Sequence, residues 1–460
     1  VATIDKPPRR LHNRGMDKHP QLLPKAAAIF GSRIDCPCGR THQIEPQSIL
    51  YADDAIAAVP RVCQGHAAGG AALVLMDART RGVAGEAIAE ALGAAGWQVT
   101  RAIVPDPAPG QHPVCDDLTY AALQPAVAGA HILVNVGSGV INDLGKWLSA
   151  DAGKPCISFA TAASMNGYTS ANIAPTLAGV KSLRDSRPPR AVLADPAILA
   201  AAPYEMTVAG LGDVLAKSVS SADWRLNSVL FGDYYCLPSV ELIAEIEPLY
   251  LANPHGIAQR QPRAMAALYE ALLLTGAAMT MAGTSAPASG GEHMVSHALD
   301  MMSSLDGSPH DLHGRQVGVG TIVAAEVYRR VLAAESPRWT APTDEIDAAF
   351  WGPMAPMVAQ QYSAKLPRMQ QAAAKLRVGS AWDALRGELS AMVRPPQAIR
   401  ECLRTAGGAT TAADLGMSPQ RVLAAMRHAH EIRSRFTVLD LAMLAGVLPH
   451  AWDDVASEWL

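Results

Sequence analysis

A single change of periodicity near residue 200 constrains this chain more than any other feature. Across residues 34–189, short β-branched runs alternate with Ala-rich helical stretches, and Gly, Asp or Thr follows each apolar run. The clearest strands are predicted at residues 72–76 (ALVLM), 98–104, 131–136 (HILVNV), 156–160 (CISFA) and 191–194 (AVLA). This rhythm specifies right-handed βαβ crossovers and a parallel sheet whose ligands bind beyond the strands' carboxyl ends. After Asp195 the text turns to long 3.6-residue periods of Ala, Leu and Met without convincing strands, which predicts an all-helical half. The expected plan is a loose extension over residues 1–30, a Rossmann-like α/β domain over 31–200 and an all-α domain over 201–460. The crevice between the two domains is the default place for a site.

Composition removes several classes of function. With 49% hydrophobic and 17% charged residues the chain has a core to bury and is not intrinsically disordered. A formal charge of −4, without long blocks of either sign, gives no footprint for nucleic acid or for a polybasic membrane contact. Seven scattered cysteines, an odd number, point to reduced thiols and a cytoplasmic protein. The first 25 residues are basic and lack the apolar stretch of a signal peptide, which predicts a loose extension. Apolar stretches around 191–202 are broken by Asp195, Pro196 and Pro203, so no membrane insertion is expected.

Three segments at predicted strand ends bear chemistry. Asp77 follows ALVLM, where a carboxylate either accepts from ribose hydroxyls or caps the next helix; Arg79 and Arg81 nearby keep a 2′-phosphate possible. VGSGVIND, residues 136–143, offers Gly137 and Gly139 for close approach of a pyrophosphate to a helix N-terminus, although it lacks the full G-x-G-x-x-G spacing. Residues 158–174 concentrate Thr161, Ser164, Asn166, Thr169 and Ser170, either a polar ligand site or a turn that caps its own helix. By contrast CPCGRTH, with Cys36, Cys38 and His42, has no second cysteine pair downstream and reads as ordinary thiols.

The helical half carries the densest constellation. In SGGEHMVSHALDM, His293 and His297 are four apart and share one helix face; His313 follows in HDLHGRQ, and Asp213 lies in AGLGDVLAK. Two or three imidazoles and one carboxylate suit Zn²⁺, Ni²⁺ or Fe²⁺. The pair is not a metalloprotease motif, because Met294 stands where a zincin has Glu.

In this order, CPCGRTH, LMDARTRGVAG, GSGVINDLGKW, ATAASMNGYTS, AVLADP, GLGDVLAK, GGEHMVSHALD and LHGRQVGVGTI resemble the glycerol-1-phosphate dehydrogenase family, within the iron-containing alcohol dehydrogenase and dehydroquinate synthase-like superfamily. The resemblance spans roughly residues 34–330; beyond it the likeness is to a generic helical tail. It implies an α/β dinucleotide-binding domain followed by a helical metal- and substrate-binding domain. NAD or NADP would lie on Gly137, Ser138, Gly139, Val140, Ile141, Thr161, Ala162, Ala163 and Ser164, assisted by Ser170 and Asp77. Asp213, His293 and His313 would hold one divalent metal, zinc first with nickel or iron as alternatives. His297 would face the substrate, and His310 is an additional imidazole in a short insertion. The family's usual substrate-contacting Asp is Asn166 here, which keeps the size and loses the charge.

The implied reaction is hydride transfer between NAD(P)H and the metal-polarised ketone of dihydroxyacetone phosphate, giving sn-glycerol 1-phosphate, in a homodimer. Lys181 and the arginines after it are candidates for the phosphate. Alternatives are a glycerol or other polyol(-phosphate) dehydrogenase, a dehydroquinate synthase-like cyclase, and a metal-binding homologue without catalysis.

Overall fold

A computed structural model describes residues 4–5, 22–67, 69–108, 111–177 and 180–460, without the side chains of residues 4, 5, 180 and 181. It divides into two compact units, Val1–Gly210 with Glu241–Thr284, and Leu211–Val240 with Ser285–Leu460. The division therefore falls ten residues later than the periodicity change, and the helices of residues 241–284 belong to the first unit rather than to a continuous helical domain. Most of residues 1–21, the greater part of the expected loose extension, lies outside the described residues, and the end of that extension is helical. Residues Pro24–Ile29 form a helix with Ala26 fully buried, and the Lys25 and Ala26 N–H groups each donate to Glu270 Oε1 at 2.8 Å.

After the Pro24–Ile29 helix the first unit forms a hairpin, β1 (Arg33–Asp35) and β2 (Thr41–Gln43), with Ile4–Asp5 paired antiparallel to the outer side of β1, and then builds a six-stranded sheet. Its strands are β3 (Ser48–Tyr51), β4 (Ala71–Asp77), β5 (Gln98–Val104), β6 (Ile132–Gly137), β7 (Cys156–Ala160) and β8 (Ala191–Ala194), ordered β3-β8-β7-β6-β4-β5 and parallel throughout. Strands covered by helices on both faces read as unbroken apolar runs, and here β6, β7 and β8 are buried at every residue. One face packs Val74, Met76, Val134 and Phe159 against helices Ala55–His66 and Glu86–Ala94. The other packs Leu73, Leu75 and Leu133 against Leu123 of helix Asp117–Val127 and against Leu144 and Trp147 of α1 (Gly139–Asp151). Edge strand β3 (SILY), with only its last residue buried, was not among the predicted strands.

The second unit is helical. Three of its segments matter for chemistry: the end of α2 (Tyr204–Leu215) with α3 (Lys217–Phe231), then α5 (Gly291–Asp306), and α6 (His313–Ala333). Helix α4 (Pro262–Ala282), in the first unit, is long and apolar enough to cross a membrane, and almost all of it is buried in the core.

Candidate active site

In the first unit, sheet order brings three predicted segments to one edge. Strands β7, β6 and β4 are neighbours, with Gly137 opposite Ala160 and Leu75 opposite Asn135, so Asp77, Gly137–Ser138 and Thr161–Ser164 leave the sheet side by side. The Thr161 N–H donates to Gly137 O at 3.3 Å, and Ser138 Oγ and Ser164 Oγ are hydrogen-bonded. Tyr168, fully buried, donates toward Ala162 O (2.9 Å) and Gly137 O (3.3 Å), which ties the two loops together. The helix that starts at Gly139 directs its first N–H groups here, and a Cβ at residue 139 would meet nothing nearer than Met165 Cγ at 4.0 Å. Val140 and Ile141 form its first turn. Unpaired N–H groups, a dipole and open backbone fit a pyrophosphate.

Two residues have structural engagements that their sequence context left open. Asp77 is a helix cap, since its Oδ1 accepts from the Arg79 and Thr80 N–H groups at 2.8 and 2.7 Å while Thr80 Oγ1 accepts from the Asp77 N–H. Ser170 is 1% exposed and sits in a knot around Lys146, whose Nζ donates to Gly167 O (2.9 Å), Asn172 O (2.7 Å) and Ser170 Oγ (3.1 Å). Burial pulls Lys146 below its ordinary pKa. Asn166 is half-buried in the same loop, and its carbonyl lies so close to Gly276 that a Cβ there would overlap it. The Lys181 side chain lies outside the described residues, and two of the three arginines that follow are engaged: Arg184 with Asp151 at 2.8 Å, Arg190 with Glu45 at 3.2 Å.

In the second unit, Asp213, His293 and His313 each bring a donor atom within 4.8 Å of the others. Such an approach needs closely packed helices, and glycine permits it. A Cβ at Gly212 would overlap the Gly314 carbonyl and lie 3.3 Å from Gly318 Cα, and one at Gly320 would overlap Glu292 O. His297 lies one turn beyond His293, its ring centroid 5.9 Å from that of His293 and 5.7 Å from that of His313. His310 stands apart, exposed and 3.3 Å from Asp300.

Around these three residues is a set of polar groups that the motif reading missed. Glu292 Oε1 accepts from His293 Nδ1 at 2.8 Å and from the Gly290 N–H at 2.7 Å, leaving His293 Nε2 for a metal on the side of Asp213 Oδ1, 3.7 Å away. Ser296 Oγ lies 3.2 Å from His313 Nδ1 and donates to Gln316 Oε1 at 3.0 Å, which likewise turns His313 Nε2 inward. Lys217, one turn past Asp213 and 3% exposed, holds its Nζ 3.5 Å from Asp213 Oδ1. Burial drives His293 well below its ordinary pKa, with His313 and Lys217 adding to it, so the imidazole is neutral and able to ligate. Burial lifts Glu292 to about 7, against the pull of the Gly290 N–H and the Lys217 charge. A neutral His293, a second imidazole from His313, each oriented from behind, and one carboxylate fit a divalent ion with an open position. The sequence signal for Glu292 was its place immediately before His293.

Solved structures with the same architecture define the class. Glycerol dehydrogenase from Schizosaccharomyces pombe matches with a TM-score of 0.59 at 16% identity, over 90% of each chain. A probable glycerol dehydrogenase from Sinorhizobium meliloti 1021 matches with 0.57 at 18%, over 90% of this chain and 98% of that one. The fold is thus that of the iron-containing alcohol dehydrogenases, and the family of that description matches residues 51–203. Glycerol-1-phosphate dehydrogenase [NAD(P)+] of Bacillus subtilis (strain 168) is 30% identical over 369 residues, 80% of this chain and 84% of the relative. The enzyme of that name from Thermococcus kodakarensis is 28% identical over 402 residues, 87% and 93% of the two chains. The chain belongs to the glycerol-1-phosphate dehydrogenase family and is an oxidoreductase acting on CH–OH groups.

Proposed function

We propose that this enzyme interconverts dihydroxyacetone phosphate and sn-glycerol 1-phosphate using NAD(P)H and one zinc ion held by Asp213, His293 and His313. The observation that carries the reading is the convergence of those three donors, each imidazole oriented from behind by Glu292 or Ser296. When bound, the metal supplies Lewis acidity toward the substrate carbonyl, and the nicotinamide supplies the hydride.

The chain's own residues do the rest. Gly137 to Ile141 and Thr161 to Ser164 bind the dinucleotide, with α1's N-terminal N–H groups on the pyrophosphate. Arg79 is held bidentately by Asp106 (2.9 and 3.1 Å) and Arg81 pairs with Glu86 (3.2 Å), which supports NAD over a cofactor bearing a 2′-phosphate. His297, on the same helix face as His293, orients a substrate hydroxyl and passes a proton to it at the imidazole nitrogen. Asn166 takes the substrate contact that the family resemblance assigns to an acid.

The test is elemental analysis followed by assays of the zinc-loaded enzyme with NADH and NADPH against phosphorylated and unphosphorylated dihydroxyacetone. Asp213→Ala is expected to lose both the metal and turnover; activity retained without metal would overturn the reading. Equal reduction of the unphosphorylated ketone would make the enzyme a glycerol dehydrogenase. No turnover of any triose by the loaded protein would make it a non-catalytic metal binder.

A further inference from the structure

We propose that Cys36, Cys38 and His42 bind a structural zinc ion, a second metal site with a ligand set distinct from Asp213, His293 and His313. The C-x-C spacing with no second pair had argued against a metal, but that count assumed ligands come in sequence pairs. In the fold, the third donor returns across a hairpin. His42 in β2 lies opposite Ile34 in β1, which brings it back over the turn that joins the strands. The Gly39 N–H donates to Cys36 O and the Cys36 N–H to Arg40 O, both at 3.0 Å, and Gly39 has φ +84°, a conformation glycine adopts without strain. The result puts Cys38 Sγ 3.2 Å from His42 Nε2, with the donor atoms of Cys36, Cys38 and His42 all within 4.8 Å of one another. The sulfur–sulfur and sulfur–nitrogen edges of a tetrahedral zinc site are about 3.6–3.8 Å, so small side-chain rotations close the set around an ion. The fourth tetrahedral position falls to a donor outside this loop.

The packing of the ribbon points the same way. Its strands have three residues each, and Arg33, Asp35, Thr41 and Gln43 are exposed, with Thr41 Oγ1 donating to Asp35 Oδ1 at 2.7 Å on that outer face. The inner face offers half-buried Ile34, buried Cys36, a histidine that is 5% exposed and, just past β2, buried Ile44. Apolar burial that thin adds little to a small sheet of two- and three-residue strands, in which Ile4–Asp5 flanks β1 on the side away from β2, whereas a bound ion contributes folding energy directly. All seven cysteines are thiols, and a pair of thiolates with an imidazole is a soft set that selects zinc. The ribbon leads straight into edge strand β3, and the Gln47 N–H between them donates to Arg190 O at 2.9 Å, so the ion anchors the entry to the sheet.

Full-length protein prepared with zinc and dialysed is expected to carry one more zinc per chain than the Cys36→Ser/Cys38→Ser double variant. The variant should retain kcat when loaded and melt several degrees lower. Should the variant fail to fold, the parent suffices. Alkylation of Cys36 and Cys38, followed by mass spectrometry, should be blocked until a chelator removes zinc. Cobalt substituted at this site should show thiolate-to-metal charge transfer, which the oxygen and nitrogen donors of Asp213, His293 and His313 do not produce. Equal alkylation before and after chelation, copper or iron in place of zinc, or a Cys36–Cys38 disulfide in the isolated protein would each overturn the proposal.

Discussion

Glu292 provides the sharpest test of how the candidate metal centre is organised. Its Oε1 accepts from the His293 imidazole at 2.8 Å and from the Gly290 N–H at 2.7 Å, and the side chain is fully buried. Glu292→Gln keeps the volume and one acceptor but removes the charge that polarises the imidazole, and charge-assisted hydrogen bonds are about twice as strong as neutral ones. Loss of such a partner behind a ligating histidine costs about 10–100-fold in metal affinity, or about 1.4–2.8 kcal/mol. Glu292→Ala removes the same support and also strands the buried Gly290 N–H, adding about 1–3 kcal/mol to the loss of folding stability. Chelator competition would read the affinity, and urea melts of the metal-free protein would read the stability. The expected pattern is a large affinity loss in both variants, with a large stability loss only in the Ala variant. A Gln variant that binds zinc within twofold of the parent would refute the claim that this carboxylate orients His293.

Three other perturbations have directions set by the structure. Gly212→Ala drives a Cβ into the Gly314 carbonyl, which is backbone and cannot rotate away; overpacking of this kind costs about 1–3 kcal/mol, and thermal melts with metal analysis should show a lower Tm together with zinc loss. Lys146→Met deprives Gly167 O and Asn172 O of a buried donor, about 1–3 kcal/mol each by desolvation; steady-state kinetics should show a raised KM for NADH with kcat less affected. Asp223 accepts from Tyr328, Val438 and Gly291, yet burial and then the Glu292 charge push its pKa up to about 8. The native state then holds a proton that the unfolded chain, with its carboxyl near 3.8, has released. Stability of the metal-free protein should therefore fall as pH rises from about 4 to 8, and urea midpoints that are flat or rising over that range would contradict the assignment.

What was readable in the residues, and what was not, follows from where each signal is written. Strands β6, β7 and β8 are covered on both faces, so burial made their sequences uniformly apolar and easy to recognise; β3 is four residues at an edge, with little burial to record. Residues 241–284 look like any other helical text, and only long-range packing such as Glu270 with the Lys25 and Ala26 N–H groups assigns them to the first unit. The histidines announced themselves through i, i+4 spacing, because that periodicity is local. Glu292 did not, since an acid in the first turn of a helix ordinarily complements the helix dipole at the surface, and its function depends on a burial that the surrounding helices impose. The same contrast separates Asp77 from His42. Asp77 had two local readings, and the cap geometry satisfies the helix-capping one with a single oxygen. His42 was discounted because its partners were counted along the chain, whereas a hairpin pairs residues across it. Ligand spacing in sequence is thus a sound guide on a helix, where four residues always make one turn, and a poor one around a turn, where strand register decides which donors meet.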